Sequence, residues 1–295
     1  MPVAYFDGQF VERAELKINP ADFGFARGIA LFELGRVYGG MPFHLEDHLA
    51  RLAAGAQTLG IALPQPVAAL GEVAREIIRR NALPHSAIKF YLTAGECEQP
   101  SGISFAACAG FTPHLLIMED AVTAHHPEAP YGTQHYHRGQ RLKTVPFERE
   151  LPQVKSTNYM LGYYAARQVA GTEWDDILFT HRDGYVTEAT RSNFFCVLDG
   201  MLVTPERGML HGITRKIVLH LAQTAGISVA ERDLLPVELA WATEAFTTGS
   251  IAELMPVGVI DSHHLPHTTK GPVYQALRTA FTAYIAQHCS QQQAA

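Results

Sequence analysis

The chain has little of what would direct it to a membrane, to nucleic acid or into an oxidising compartment. Its four cysteines, Cys97, Cys108, Cys196 and Cys289, are scattered with no CxxC pair, which leaves no basis for a disulfide framework or a zinc ribbon. No long apolar run occurs, and the opening Met1-Pro2-Val3-Ala4-Tyr5-Phe6-Asp7-Gly8 has neither a basic n-region nor an apolar h-region. No membrane association and a cytoplasmic location are therefore expected. The 23 Lys and Arg are outnumbered by 29 Asp and Glu, giving a net charge of −6 with no basic stripe, which argues against a nucleic-acid partner. Histidine pairs stand at His125/His126, His135/His137 and His263/His264. None has a carboxylate or cysteine at a recognised ligand spacing, so no metal is expected.

What is present is ordinary globular usage, 47% apolar and 18% charged, in a chain long for one domain and comfortable for two. The first third mixes strands and helices. Ala4-Tyr5-Phe6 and Gln9-Phe10-Val11 flank Asp7-Gly8, a pair suited to a two-residue hairpin turn, and Phe32–Tyr38 and Met41–His44 flank Gly39-Gly40 in the same way. Leu45, Leu49, Leu52, Ala53 and Ala56 predict a helix over roughly 45–60, and Val73, Ile77 and Ile78 another over roughly 66–81. Ala87–Thr93 and Pro113–Met118 read as strands. From about Glu119 the pattern dissolves into a polar, proline-containing stretch. A small α+β domain over 1–121, a linker over 122–130 and a larger domain over 131–295 are expected. The second part opens with a strand near Gln140–Thr144 and a helix after Asn158. Hairpin turns at Asp183-Gly184 and Asp199-Gly200 follow, then helices over roughly 213–225 and 271–288.

Three segments carry chemistry. Lys155, in Leu151-Pro152-Gln153-Val154-Lys155-Ser156-Thr157-Asn158-Tyr159, sits before a helix at the rim of a core, where an ammonium is poised to become a nucleophilic amine. Glu188 ends the strand Gly184–Thr187 and opens an E-x-x-x-x-N-F-F spacing through Asn193, Phe194 and Phe195. Gly212-Ile213-Thr214-Arg215 precedes a helix patterned by Ile217, Val218, Leu221 and Ala222, and the N–H groups of such a helix start favour an anion. An amine for an aldehyde, a carboxylate for a ring nitrogen and a phosphate cradle are what pyridoxal phosphate (PLP) needs.

On those residues the chain resembles the class IV (fold type IV) PLP-dependent aminotransferases, with their branched-chain, D-amino-acid and (R)-amine members and aminodeoxychorismate lyase. The resemblance runs from Asp22-Phe23-Gly24-Phe25-Ala26-Arg27-Gly28 to Pro256-Val257. It implies a two-domain α+β fold of the D-amino-acid aminotransferase type and a homodimer. Lys155 would bond the cofactor aldehyde and relay the substrate Cα proton, and Glu188 would meet the ring nitrogen. Arg51, Ile213, Thr214 and Ser250 would take the phosphate, Tyr159 the 3′-oxygen, and Ile251 and Ala252 would lie near the substrate carboxylate. A small apolar amino acid and a 2-oxo acid are the implied substrates, with a lyase reaction as the alternative.

The resemblance does not name the substrate. D-amino-acid enzymes carry an arginine just before the glycine of the strand near 90, where Ala94-Gly95 stands here, and a tyrosine where this chain has Phe32. Glu96-Cys97-Glu98-Gln99-Pro100 is unlike the arginine-bearing loop of the lyase. Phe32, Glu33 and Arg36 are closer to the branched-chain pattern, with Lys89 roughly where that group has an arginine. Arg27 and Lys89 are candidate carboxylate partners or, equally, structural salt-bridge residues.

Overall fold

The computed structural model describes residues 1–97, 110–122 and 133–294. Cys108, His125 and His126, most of the expected linker and residues 98–100 lie outside them. The chain divides into two compact units, Met1–Val122 with Val154–Tyr159, and Thr123–Gln153 with Met160–Ala295.

In the first unit the elements are β1 (Val3–Phe6), β2 (Gln9–Glu12), α1 (Phe23–Arg27), β3 (Ala30–Tyr38), β4 (Met41–Pro42), α2 (Leu45–Leu59), α3 (Val67–Asn81), β5 (His85–Cys97) and β6 (Phe111–Ala121). The strands form an antiparallel sheet in the order β2-β1-β6-β5-β3-β4. Both expected hairpins form, because Asp7, Gly8, Gly39 and Gly40 all take positive φ, the backbone that matches strand twist. Leu45, Leu49, Leu52 and Ala56 of α2 and Leu70, Ala74, Ile77 and Ile78 of α3 pack with Leu31, Val37, Ile88, Phe90 and Leu92 of the sheet. Odd-numbered residues of β3 thus face the helices, and Phe32, in register with Tyr91, lies on the opposite face.

The segment Val154–Tyr159 is laid along β3. Phe32 N–H donates to the Lys155 carbonyl at 2.9 Å, Thr157 N–H donates to the Ala30 carbonyl at 2.9 Å, and Ser156 bridges Leu31. The expectation that Lys155 stands at the mouth of a helix is thereby revised. The next helix begins only at Met160, and the lysine is carried on an extended strip pinned by Val154, which is buried in the first unit's core.

The second unit contains α4 (Thr133–Arg138), β7 (Gln140–Pro146), α5 (Met160–Val169), β8 (Asp176–Thr180), β9 (Val186–Ala189), β10 (Asn193–Leu198), β11 (Met201–Thr204), α6 (Ile213–Thr224), β12 (Val229–Glu231), β13 (Glu244–Gly249), β14 (Glu253–Ile260), β15 (His263–His264) and α7 (Pro272–Ala294). Its strands run β12-β11-β10-β13-β14-β7-β8-β9, and β9 also pairs with β10, so six of them close on themselves. Leu142, Leu178, Val186, Phe194, Ala245, Val257 and Ile260 form a core cluster of this unit. Every residue of β9 and of β10 is buried, which is why Phe194–Leu198 of β10 reads as an unbroken rather than alternating apolar run. Among the described residues no helix is long and apolar enough to cross a membrane.

Two elements outrun their expected limits. Glu119, Asp120 and Ala121, read from the sequence as the start of an aperiodic stretch, continue β6 opposite Ile88, Ala87 and Ser86. Their polarity is absorbed locally: Ser86 Oγ donates to Glu119, and Asp120 pairs with Lys89 and Arg13. Strand β5 extends past Thr93 through a register shift at Gly95, whose φ is +74°. A Cβ there would stand 1.6 Å from the Thr112 carbonyl oxygen. Gly95→Ala should therefore lower the unfolding free energy by about 1–3 kcal/mol from the left-handed backbone alone. Denaturant titration checks this, and an unchanged midpoint would mean that the bulge relaxes freely.

Candidate active site

The first unit assembles an amine, an aromatic wall and a buried ion cluster around β3. Lys155 Nζ lies 4.3 Å from the Phe32 ring centroid. Tyr159 and Tyr91 flank the same ring, with centroids 5.7 and 6.3 Å away. An ammonium over an aromatic face is held there by attraction to the ring quadrupole.

Across the strand, Glu33 is fully buried. Arg51 of α2 donates to it from Nε at 2.7 Å and from Nη2 at 2.8 Å, and His48 Nδ1 lies 2.8 Å from Oε2. Burial alone would raise the Glu33 pKa, but the charge and hydrogen bonds of Arg51, then those of His48, outweigh it and hold it at about 2. Burial pushes His48 below the ordinary imidazole value, against the pull of Glu33. The forked edge that the phosphate role would use on Arg51 is thus engaged by Glu33.

In the second unit the carboxylate of Glu188 on β9 is buried. Arg149 Nη1 donates to its Oε1 at 2.7 Å, while Leu210 N–H and Asn193 Nδ2 donate to Oε2 at 3.2 and 3.5 Å. Asn193, opposite Glu188 in register, also donates to the Leu210 carbonyl at 2.7 Å. The intervening turn is held by Ala189 N–H on Ser192 O at 2.8 Å and by Thr190 Oγ1 on Asp176 at 2.6 Å.

Gly212, the residue before α6, is packed against Asn193: a Cβ there would stand 2.0 Å from its side-chain oxygen. Ile213 and Thr214 open α6 with no side chain capping its first turn, so the N–H donors of that turn remain available to an anion. Thr248, opposite Asn193 on β13, has a buried hydroxyl with no hydrogen-bond partner. Ser250, Ile251 and Ala252 make the turn from β13 to β14, fixed by Tyr136 O–H on the Ala252 carbonyl at 3.0 Å. A buried acid, a helix start with uncapped donors and an orphaned hydroxyl suit a cofactor with a basic ring nitrogen and a phosphate.

Phe32, Arg51, Lys155 and Tyr159 are therefore gathered in the first unit, and Glu188, Ile213, Thr214, Ser250, Ile251 and Ala252 in the second. Lys89 and Arg27 are not drawn into either group. Lys89 takes the salt-bridge alternative with Asp120, and Arg27 is exposed, donating to its neighbour's carbonyl at 2.9 Å. Sequence reasoning did not single out Arg149, His48 or Thr248. Between Glu148 and Glu150, Arg149 reads as a solvated charge run. His48 carries the faint signal of standing one helical turn before Arg51. Among the described residues no cluster of three His, Cys, Asp or Glu could hold a metal ion.

A lysine amine in the first unit, and a buried carboxylate and a helix-start anion cradle in the second, are the kinds of group that a PLP enzyme uses. The family model for amino-transferase class IV matches residues 30–260. A Methanocaldococcus jannaschii protein provisionally named a branched-chain-amino-acid aminotransferase is 30% identical over 94% of each chain. The D-alanine aminotransferase of Staphylococcus aureus N315 is 28% identical over 98% of this chain and 99% of its own. The solved branched-chain amino acid aminotransferase of Escherichia coli superposes with a TM-score of 0.85 at 26% identity, covering 95% of this chain and 93% of that one. Similar structures include PLP and pyridoxamine phosphate forms.

The chain belongs to the class IV aminotransferases. It is a PLP-dependent transaminase of fold type IV, acting between an amino acid and a 2-oxo acid.

The ion cluster has a pH signature. The Glu33 pKa falls from the ordinary 4.5 to about 2 on folding, so its contribution is complete above pH 4.5 and is lost as pH drops towards 2. That loss is on the order of 3 kcal/mol. Glu33→Gln should abolish this part of the acid limb in denaturation curves taken from pH 5 to 2. An identical limb in the variant would mean that other carboxylates carry it.

Proposed function

We propose that the enzyme transfers the amino group of a small apolar amino acid, branched-chain L-substrates ahead of D-amino acids or (R)-amines, to a 2-oxo acid. The carrying observation is the group of Phe32, Tyr91 and Tyr159 rings, with the Lys155 amine against Phe32, which offers an apolar side chain an aromatic surface. Branched-chain and D-alanine names among the relatives support the same range. Phe32 and Ala94, where the D-type pattern has tyrosine and arginine, support the branched-chain side.

Bound PLP supplies an electron sink for the negative charge that develops when the substrate Cα–H bond breaks. Lys155 Nζ would hold the cofactor aldehyde and accept the proton from the substrate Cα. Glu188 keeps the ring nitrogen protonated, since a buried carboxylate can accept from it and stabilise its charge. Ile213 and Thr214 would donate from the first turn of α6 to the phosphate, with Ser250 adding a hydroxyl and Arg51 a positive charge. Tyr159 serves the 3′-oxygen, and the turn at Ile251-Ala252 serves the substrate carboxylate. The same reading includes a cytoplasmic homodimer, supported by the exposed side chains of Met160, Leu161, Tyr163 and Tyr164 on α5. Light scattering tests it.

A second reading has one observation in its favour. A Legionella pneumophila structure, provisionally named a 4-amino-4-deoxychorismate lyase, superposes at 26% identity with a TM-score of 0.80, covering 92% of this chain and 96% of that one. One spectroscopic experiment separates the two. A transaminase mixed with an amino acid alone converts bound PLP to pyridoxamine phosphate, and L- and D-panels then rank the donors. A lyase releases product with no acceptor and leaves PLP unchanged, which would overturn the first reading.

Lys155→Ala should abolish both that conversion and the borohydride-fixable PLP adduct. An adduct that survives the substitution would place the reactive amine elsewhere. Thr214→Val keeps the buried shape but removes one donor to a charged group, and should weaken PLP affinity by about 1.5–3 kcal/mol. Parental affinity by equilibrium dialysis would remove Thr214 from the phosphate site.

A further inference from the structure

One charged residue outside the expected set is delivered to the acid by built structure. Arg149 lies between β7 and the Lys155 strip, and the residues before it are anchored. Phe147 N–H donates to the Thr180 carbonyl at 2.9 Å, and its ring lies 4.5 Å from that of Phe179. Glu148 is turned to the hairpin after β8, where Arg182 donates from Nε at 2.7 Å and from Nη2 at 3.0 Å, and His181 Nε2 lies 2.9 Å away. With its neighbour committed to that side, Arg149 reaches Glu188 Oε1 at 2.7 Å. Its side chain is 22% exposed and that of Glu188 is 6%. The opposite oxygen is held by Leu210 N–H and Asn193, so the carboxylate is gripped on both sides.

We propose that Arg149 is a positioning residue that keeps Glu188 ionised and in one orientation for the ring nitrogen of the cofactor. The inference rests on the reading of Glu188 as the ring-nitrogen acid and adds what maintains it. Burial favours the neutral form of a carboxyl group, and a neutral carboxylic acid cannot stabilise a positively charged ring N–H. A guanidinium stays protonated at every working pH, so its charge opposes that drift without titrating itself. The surrounding titratable and charged groups are Glu148, His181 and Arg182 on the side of Arg149. On the other side lie Arg191, in the turn between β9 and β10, and Asp176, at the start of β8, with Asp176 raised by burial.

The test compares the parent with R149Q, R149M, R149K, E188Q and the double variant R149M/E188Q. The readouts are the PLP dissociation constant and the absorbance of the bound cofactor from pH 5 to 9, with kcat followed in parallel. R149Q keeps a hydrogen-bonding side chain and serves if R149M does not fold. Loss of the charge in R149Q or R149M should weaken PLP binding at least tenfold at pH 6 and move the acid limb of both binding and kcat upward by a pH unit or more. R149K should return the limb to within half a unit of the parent. In the E188Q background, R149M should change the dissociation constant less than twofold, because the arginine acts through the carboxylate it holds. Parental limbs in R149Q beside an impaired E188Q would overturn the proposal alone. So would additive losses in the double variant, which would mean that Arg149 touches cofactor or substrate directly. A parent that fails to bind PLP, or an E188Q that matches it, would overturn the reading of Glu188 and the proposal with it.

Discussion

Glu33 and Arg51 form the contact on which the first unit's arrangement around Lys155 depends. The glutamate is fully buried on β3 and the arginine reaches it from α2 with two short hydrogen bonds. A buried pair of this kind adds little net stability over an apolar replacement, yet losing one partner costs about 3–5 kcal/mol. It therefore selects one register of helix on strand rather than merely strengthening the fold. Because side chains alternate along a strand, locking Glu33 toward α2 turns Phe32 to the other face. There its ring meets the Lys155 amine and its N–H holds the Lys155 carbonyl. One ion pair thus decides which face of β3 is core and which is available for chemistry.

The second unit meets a similar demand differently. Its buried acid is held by a distant arginine, by Leu210 N–H and by the nearby Asn193. The closed run of strands brings the end of β9, the start of β10 and the end of β13 side by side. Gly212, which has no Cβ to clash with Asn193, lets the start of α6 approach them. Backbone closure places these residues, and the side chains finish the work. Such an arrangement tolerates divergence elsewhere, and relatives 26–30% identical to this chain carry names for more than one substrate. Fold type and cofactor persist at that distance, whereas substrate choice rests on a few positions such as Phe32 and Ala94.

Local rules carried far. Asp7-Gly8 and Gly39-Gly40 announced hairpins because positive φ is a property of a residue and its immediate neighbour. The apolar spacing of α2 and α3 announced helices because a helix face repeats every 3.6 residues. The spacing of Glu188 to Asn193, Phe194 and Phe195 and the surroundings of Lys155 pointed to the cofactor before any coordinates. The local rules fell short where a partner distant in sequence intervened. Glu119–Ala121 read as aperiodic because their polarity is offset by Ser86, Lys89 and Arg13, and β5 outran its pattern through a bulge at Gly95 closed by Thr112.

The sequence by itself carried the fold type and the cofactor, through a family resemblance that rests on residue types at short spacings. Tertiary structure decided the electrostatics. Arg51 lies 18 positions from Glu33, and Arg149 lies 39 from Glu188. Lys89 has its ammonium on Asp120, 31 positions away. Whether an arginine or lysine meets water, a substrate or a buried carboxylate is settled by which strands pair. Strand pairing is a long-range outcome of packing that no short window of residues encodes.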